Sequence, residues 1–187
     1  MLKYFAILVT TLFIVSCNNG TTKNQENKTE YTSEQTIEPI ARPKAEKSSA
    51  TSENEAYKDV IFKTLENKDF KISDYEGKRV LLNFWATWCR PCVMEMPSMN
   101  NAFKQLEAEN YVFLAASNEP IAKIAGFAQN MNYDFTFVKA DDQFRPFDVQ
   151  VIPTTLIFDT NGDVAMTLTG SMAWDETEVL KQLRAVK

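Results

Sequence analysis

The chain has 187 residues, 44% of them apolar and 24% charged, which suits one folded domain with a real hydrophobic core plus extensions and argues against a fibrous or wholly disordered protein. Its formal charge of -5 and its lack of a long Lys/Arg block argue against a nucleic-acid partner, because nothing would track a phosphate backbone. With no histidine and three cysteines, it cannot easily complete a structural zinc site.

Met1 to Cys17 opens with Lys3, continues as an apolar run from Phe5 to Val15, and ends Ile14-Val15-Ser16-Cys17. A run of about eleven residues is too short to span a bilayer of roughly 30 Å as a helix, so residues 1–16 read as a signal peptide. Ile-Val-Ser-Cys resembles the bacterial lipobox, which implies cleavage before Cys17 and acylation of its thiol. The alternative is an ordinary secretory signal with an incidental cysteine. Two or more acyl chains hold a protein on a membrane stably, where one binds only marginally.

Up to residue 56 the composition shifts to Asn, Thr, Gln, Glu, Lys and Ser, with Pro39 and Pro43. Such a stretch cannot bury enough apolar surface to offset its ordering entropy. Residues 17–56 are therefore expected to be the lipidated cysteine and a disordered tether. A coil of that length reaches roughly 35 Å root-mean-square and on the order of 130 Å fully extended. The folded domain is expected over residues 57–187.

The domain is predicted to open with a strand pair, Val60 to Leu65 and Phe70 to Ile72, around a polar turn at Glu66-Asn67-Lys68-Asp69. Ser73 to Gly77 reads as a short capped turn. Val80 to Ala86 is nearly all apolar, as in a central strand covered on both faces. It delivers Trp88-Cys89-Arg90-Pro91-Cys92 to the carboxyl edge of the sheet, where open α/β sheets meet their substrates. Two cysteines three apart at a strand-to-helix turn read as a redox dithiol. The helix N-terminus and Arg90 both favour a thiolate at Cys89, and Cys92 is one turn away, near enough to resolve a mixed disulfide. The same spacing could supply half of a metal site or an inert structural staple.

A helix is predicted from Cys89 to Glu109, with Cys92, Met96, Met99, Phe103 and Leu106 on its core face and a kink at Pro97. Glu95 projects about 60° from Cys92, beside the buried face, where desolvation raises a carboxyl pKa and suits it to exchange a proton with a thiol. It reads equally well as a surface glutamate favoured by the helix dipole. Tyr111 to Ser117 is the next predicted strand, and Asn118-Glu119-Pro120 starts a helix carrying Ile121, Ile124, Phe127 or Ala128, and Met131. Asp134 to Val138 returns as a strand whose Phe135 and Phe137 read as packing residues. Gln143 to Asp148 is a short helical or turn segment. Val151-Ile152-Pro153-Thr154-Thr155 leads into the strand Leu156 to Phe158. Thr160 to Asp163 is a hairpin turn, Val164 to Leu168 its partner strand, and Trp174 to Val186 a final amphipathic helix.

The string Phe-Trp-Ala-Thr-Trp-Cys-Arg-Pro-Cys, followed by Val-Met-Glu-Met-Pro and later by Val-Ile-Pro-Thr-Thr, resembles the thioredoxin superfamily and, within it, the TlpA/ResA-like thiol-disulfide oxidoreductases of bacterial envelopes. The resemblance spans roughly Tyr57 to Lys187. It implies an α/β thioredoxin-like fold, a central mixed β-sheet flanked by helices, with an N-terminal β-hairpin and a central βα insertion. It implies Cys89 as nucleophile, Cys92 as resolving thiol and no cofactor. The pattern C-x-x-C-x-x-E-x-P implies a proton-handling Glu95. General thioredoxins usually carry a buried Asp six residues before the first cysteine; here Asn83 stands there and cannot take a proton at neutral pH, which shifts that role to Glu95.

A cis Ile152-Pro153 bond facing the dithiol is also implied, with Trp88, Arg90, Pro91, Ile152 and Pro153 around the substrate-binding surface; Trp88 otherwise merely packs. The expected partners are protein disulfides and a membrane thiol electron donor, and the expected state is a lipid-anchored monomer facing the periplasm. The expected direction is reduction, of apocytochrome c or other envelope disulfides. Two rival readings are a thiol peroxidase, whose Pro-x-x-x-Thr-x-x-Cys pattern is absent around Cys89, and a lipoprotein interaction module with a structural disulfide.

Overall fold

The computed structural model describes residues 57–141 and 144–187. The predicted signal peptide, Cys17 and the tether lie outside the described residues, as does Gln143. Strands β1 (Ile61–Lys63) and β2 (Asp69–Lys71) form the expected antiparallel hairpin, but a shorter one. Thr64 leaves the ladder: its N–H donates to the Lys68 carbonyl, its hydroxyl accepts from the N–H groups of Glu66 and Lys68, and Asn67 turns the chain at a φ of 63°. Ile72, expected to end the second strand, instead begins a 3-10 turn, Ile72–Tyr75, capped by the Asp74 carboxylate on the Lys71 N–H.

Next come β3 (Arg79–Phe84), α1 (Arg90–Leu106), β4 (Tyr111–Ser117), α2 (Ile121–Met131), β5 (Thr136–Lys139), β6 (Thr154–Phe158), β7 (Val164–Thr169) and α3 (Thr177–Ala185). The seven strands form one sheet in the order β2-β1-β5-β4-β3-β6-β7. β3, β4 and β5 run parallel, joined by α1 and α2, while β6 and β7 return antiparallel. α1 runs through Pro97 without ending there. The last helix starts at Thr177 rather than at the predicted Trp174, because Trp174 belongs to the loop after β7 and its ring is buried against α1.

The period of two along a strand sorts the core into two layers. Val80, Leu82 and Phe84 of β3 face one side with Leu114, Ala116, Leu156 and Phe158, covered by Phe62, Ile72 and Phe147. Leu81 faces the other side with Phe113, Ala115 and Ile157, covered by Met96, Met99 and Leu106 of α1, Ile124 of α2, and Leu180 and Leu183 of α3. Truncating a residue such as Leu82 to Ala in so closed a core costs about 2–5 kcal/mol. By the same alternation Asn83 and Thr155, direct neighbours on β3 and β6, point toward the helix side. Among the described residues no helix is long and apolar enough to cross a membrane.

Candidate active site

Beyond Phe84 the chain runs through Trp85, Ala86 and Thr87 to the dithiol. The Trp85 N–H donates to the Ala116 carbonyl at 3.0 Å, carrying the pairing with β4 past the end of β3, and the Cys89 N–H donates to the Ala86 carbonyl at 3.0 Å. Cys89 is the N-cap of α1 and Cys92 sits in its first turn; the two are joined as a disulfide with Cα atoms 5.3 Å apart. The Cys92 N–H points at Cys89 Sγ over 3.3 Å. Pro91 occupies a first-turn position that has no N–H to leave unpaired. Once the disulfide opens, a helix-end N–H is therefore already aimed at the sulfur of Cys89, which favours negative charge there. Cys92 is wholly buried and Cys89 is 4% exposed, so an incoming disulfide meets Cys89 first.

Cys89 Sγ lies 3.8 Å from the carbonyl oxygen of Ile152. The Ile152-Pro153 bond is cis, as the resemblance implied, and the Pro153 carbonyl accepts from the Gly170 N–H at 2.8 Å. Trp88 is 71% exposed and does not pack into the core; with Phe144, Val149, Val151 and Ile152 it lines an open groove beside the dithiol. Arg90 and Pro91 are exposed on the first turn of α1. Trp88, Ile152 and Pro153 thus gather round Cys89, while Arg90 and Pro91 form its outer rim.

Glu95 is 2% exposed, which disposes of its reading as a surface residue. Its Oε1 accepts from Asn83 Nδ2 at 2.9 Å, and its Oε2 accepts from the Met172 N–H at 2.8 Å and the Trp174 indole N–H at 3.2 Å. Asn83 Nδ2 also donates to Thr155 Oγ1 at 2.8 Å. Burial pushes the Glu95 carboxyl above the usual range, against the pull of hydrogen bonds from Met172, Asn83, Trp174 and Ser171. The loop carrying Met172 and Trp174 is fastened a second time, by the Trp174 N–H on Ser98 Oγ at 3.2 Å.

A second buried carboxylate, Glu119, went unrecognised in the sequence beyond marking a helix start. It accepts the Thr87 N–H at 2.6 Å and the Thr87 hydroxyl at 2.9 Å, and pairs with Lys123. It clamps the loop that enters the dithiol. The available signal was topological: β3 and β4 are parallel neighbours, so the residues just past their ends, 85–87 and 118–119, must meet at one edge of the sheet.

The chain matches the family model described as AhpC/TSA family over residues 54–167. It is 34% identical over 132 residues to the thiol-disulfide oxidoreductase ResA of Geobacillus kaustophilus, covering 69% of this chain and 75% of that one. It is 35% identical over 126 residues to the thioredoxin-like protein YneN of Bacillus subtilis, covering 64% and 73%. Among solved structures, a Chlorobium tepidum protein assigned as thiol:disulfide interchange protein DsbE superposes with a TM-score of 0.61 at 26% identity, covering 67% of this chain and 91% of that one. A dithiol at the tip of α1, a thioredoxin-like sheet behind it and these matches place the chain in the AhpC/TSA family, in its ResA-like branch of thiol-disulfide oxidoreductases.

Proposed function

We propose that this enzyme reduces disulfides in protein substrates of the bacterial envelope, with Cys89 as nucleophile, Cys92 as resolving thiol and Glu95 as proton carrier. The observation that carries the reading is the Cys89–Cys92 pair at the N-terminus of α1, open to the Ile152 carbonyl on one side and backed by the buried Glu95 one turn on. In the reduced protein the Cys89 thiolate attacks one sulfur of a substrate disulfide, forming a mixed disulfide and expelling the other sulfur as a thiolate, which takes a proton from solvent. Cys92 passes its proton to the Glu95 carboxylate and attacks Cys89 Sγ. The second substrate sulfur leaves and is protonated, and two electrons have moved from the dithiol to the substrate. Ile152, Pro153 and Trp88 offer an apolar groove and a backbone carbonyl to an extended substrate segment, in the manner of strand addition.

The anchor is assigned to Cys17, the tether to residues 18–56 and the catalytic domain to residues 57–187. A membrane thiol donor would keep the monomeric domain reduced, and apocytochrome c is the substrate class proposed. The peroxidase alternative is disfavoured because Leu82 and Ala86 stand seven and three residues before Cys89, where that pattern needs Pro and Thr. Reduction of insulin disulfides is the direct test: turnover is expected, Cys92→Ser should accumulate a mixed disulfide through Cys89, and no turnover would return the pair to a structural staple. Cys17→Ser should free the protein from the membrane fraction with its fold unchanged. Persistent attachment would move the membrane contact to the domain or a partner.

A further inference from the structure

We propose that Asn83, braced by Thr155, is a positioning residue for Glu95 whose side-chain amide turns over as the carboxyl gains or loses its proton, offering N–H to the carboxylate and its carbonyl to the acid. This rests on the reading of Glu95 as a proton carrier. The two oxygens of Glu95 have partners of different kinds. Oε2 accepts from the Met172 N–H and the Trp174 indole N–H, groups that can only donate, so a hydrogen placed on Oε2 would break one of these bonds. Oε1 faces Asn83, which, like the Ser171 hydroxyl that also bonds this carboxyl, carries both a donor and an acceptor. The acid's hydrogen therefore belongs on Oε1.

The second observation is the other end of the amide. Asn83 Oδ1 is one of two buried side-chain nitrogen or oxygen atoms among the described residues with no hydrogen-bond partner. Buried acceptors are rarely left so, and the vacancy has a cause here. Nδ2 is occupied twice, by Glu95 Oε1 and Thr155 Oγ1, which fixes the amide in the orientation that suits a carboxylate. Rotated by half a turn, Oδ1 would accept from Oε1–H and from the Thr155 hydroxyl, both able to donate, and the NH2 would take the unpartnered place. Each orientation leaves one end of the amide unpaired, so Asn83 serves both charge states and locks neither. An aspartate in its place would set a second acid against the first. The groups bonding Glu95 from β3, from the loop after β7 and, through Asn83, from β6 are uncharged; Cys92, one turn back on α1, is the neighbour that titrates, and the disulfide silences it.

The test uses the full chain, kept oxidised and labelled with 15N in asparagine and 13C in glutamate. The Asn83 side-chain NH2 signals, assigned by their loss in Asn83→Leu, and the Glu95 carboxyl carbon are followed against pH. Both are expected to move with a single midpoint. Asn83→Leu removes the amide's bond to Oε1 and should raise that midpoint by about one unit, about tenfold in the ratio of acid to carboxylate. Thr155→Val, a smaller change, should shift the midpoint and the amide signal together and carries the test if Asn83→Leu does not fold. Asn83 signals that stay fixed while Glu95 titrates would overturn this proposal and leave Glu95 its role. A Glu95 carboxyl carbon that does not titrate, with an unchanged rate–pH profile in Glu95→Gln, would overturn the proton-carrier reading and this proposal with it.

Discussion

Glu95 and Glu119 are the two buried carboxylates among the described residues, 2% and 8% exposed, one behind the dithiol in α1 and the other at the carboxyl edge of the sheet just past β4. Both lose water, and for both that loss raises the carboxyl pKa. At Glu95 it prevails, because every partner is uncharged. At Glu119 it is outweighed by Lys123 and the two bonds from Thr87, and the carboxyl is held below the usual range. Burial alone therefore does not set the charge of a carboxyl group; what decides is whether a cation stands among its partners. The first arrangement suits a group that must gain and lose a proton, the second a group that must stay ionised and hold a loop.

The largest consequence is kinetic. Glu95→Gln keeps the shape and removes the titrating group, so the Cys92 step should slow on the order of a hundredfold, or about 3 kcal/mol of barrier, with a flattened rate–pH profile in stopped-flow exchange. The disulfide should still form. Glu119→Gln should leave the shape of that profile unchanged; an equal flattening by both variants would erase the distinction between the two sites.

Next is the cost of opening the clamp. Glu119→Ala leaves the Thr87 N–H without its acceptor and the 85–88 path loosely held, which should lower unfolding stability by about 1–3 kcal/mol in denaturant titration. Exchange should slow only a fewfold, since no group that carries the proton is lost. A loss well under this range would mean that the bond between the Trp85 N–H and the Ala116 carbonyl already fixes the path.

Much of this site was legible in the chain itself, and the reasons differ by residue. Cys89 and Cys92 follow from local spacing after the apolar run Val80 to Ala86, while the helical projection sets Glu95 beside the buried face without deciding between core edge and surface, a choice that the C-x-x-C-x-x-E-x-P resemblance tips. The surroundings of Glu95 could not be read that way: Thr155, which braces its partner Asn83, and Trp174 lie 60 and 79 residues further on, and only the β3–β6 register and the return of the loop after β7 bring them in. By spacing alone, an aromatic at position 174 fits the amphipathic face of the last helix. Its indole is instead used on Glu95, and the helix starts once that contact is made. The hairpin strands are shorter than their apolar pattern suggests for the reverse reason, since the Thr64 hydroxyl competes locally with the ladder.

The comparison also predicts opposite slopes of stability with pH. A carboxyl raised on folding contributes stability fully present below its unfolded value, near 4.5, and loses it as pH rises through the folded value; Glu95 is of this kind. Glu119 is lowered, so its contribution is present above about that value and is lost as pH falls through the folded one. In oxidised protein, Glu95→Gln should therefore remove a decline on the neutral side, and Glu119→Gln part of the decline on the acid side. Melting midpoints across pH 3 to 8 would read both.

The smallest expected effect is the one that isolates the cation. Lys123 lies one turn after Glu119 on α2, with about half of its side chain in water, while the Glu119 side chain is 8% exposed. Lys123→Met keeps most of the aliphatic stem and removes the charge. At neutral pH the loss should stay under about 1 kcal/mol, because an exposed lysine is well screened and Thr87 still donates twice. The acid limb of the stability curve should nevertheless move to higher pH, since desolvation would then act on Glu119 with less opposing it, as it does on Glu95. High salt should shift the parent protein the same way but less far, because screening weakens the pair without abolishing it. An acid limb that stays in place in Lys123→Met would assign the low pKa of Glu119 to the two Thr87 bonds alone. The difference between the two glutamates would then lie in how closely their N–H donors approach, and not in the presence of a cation.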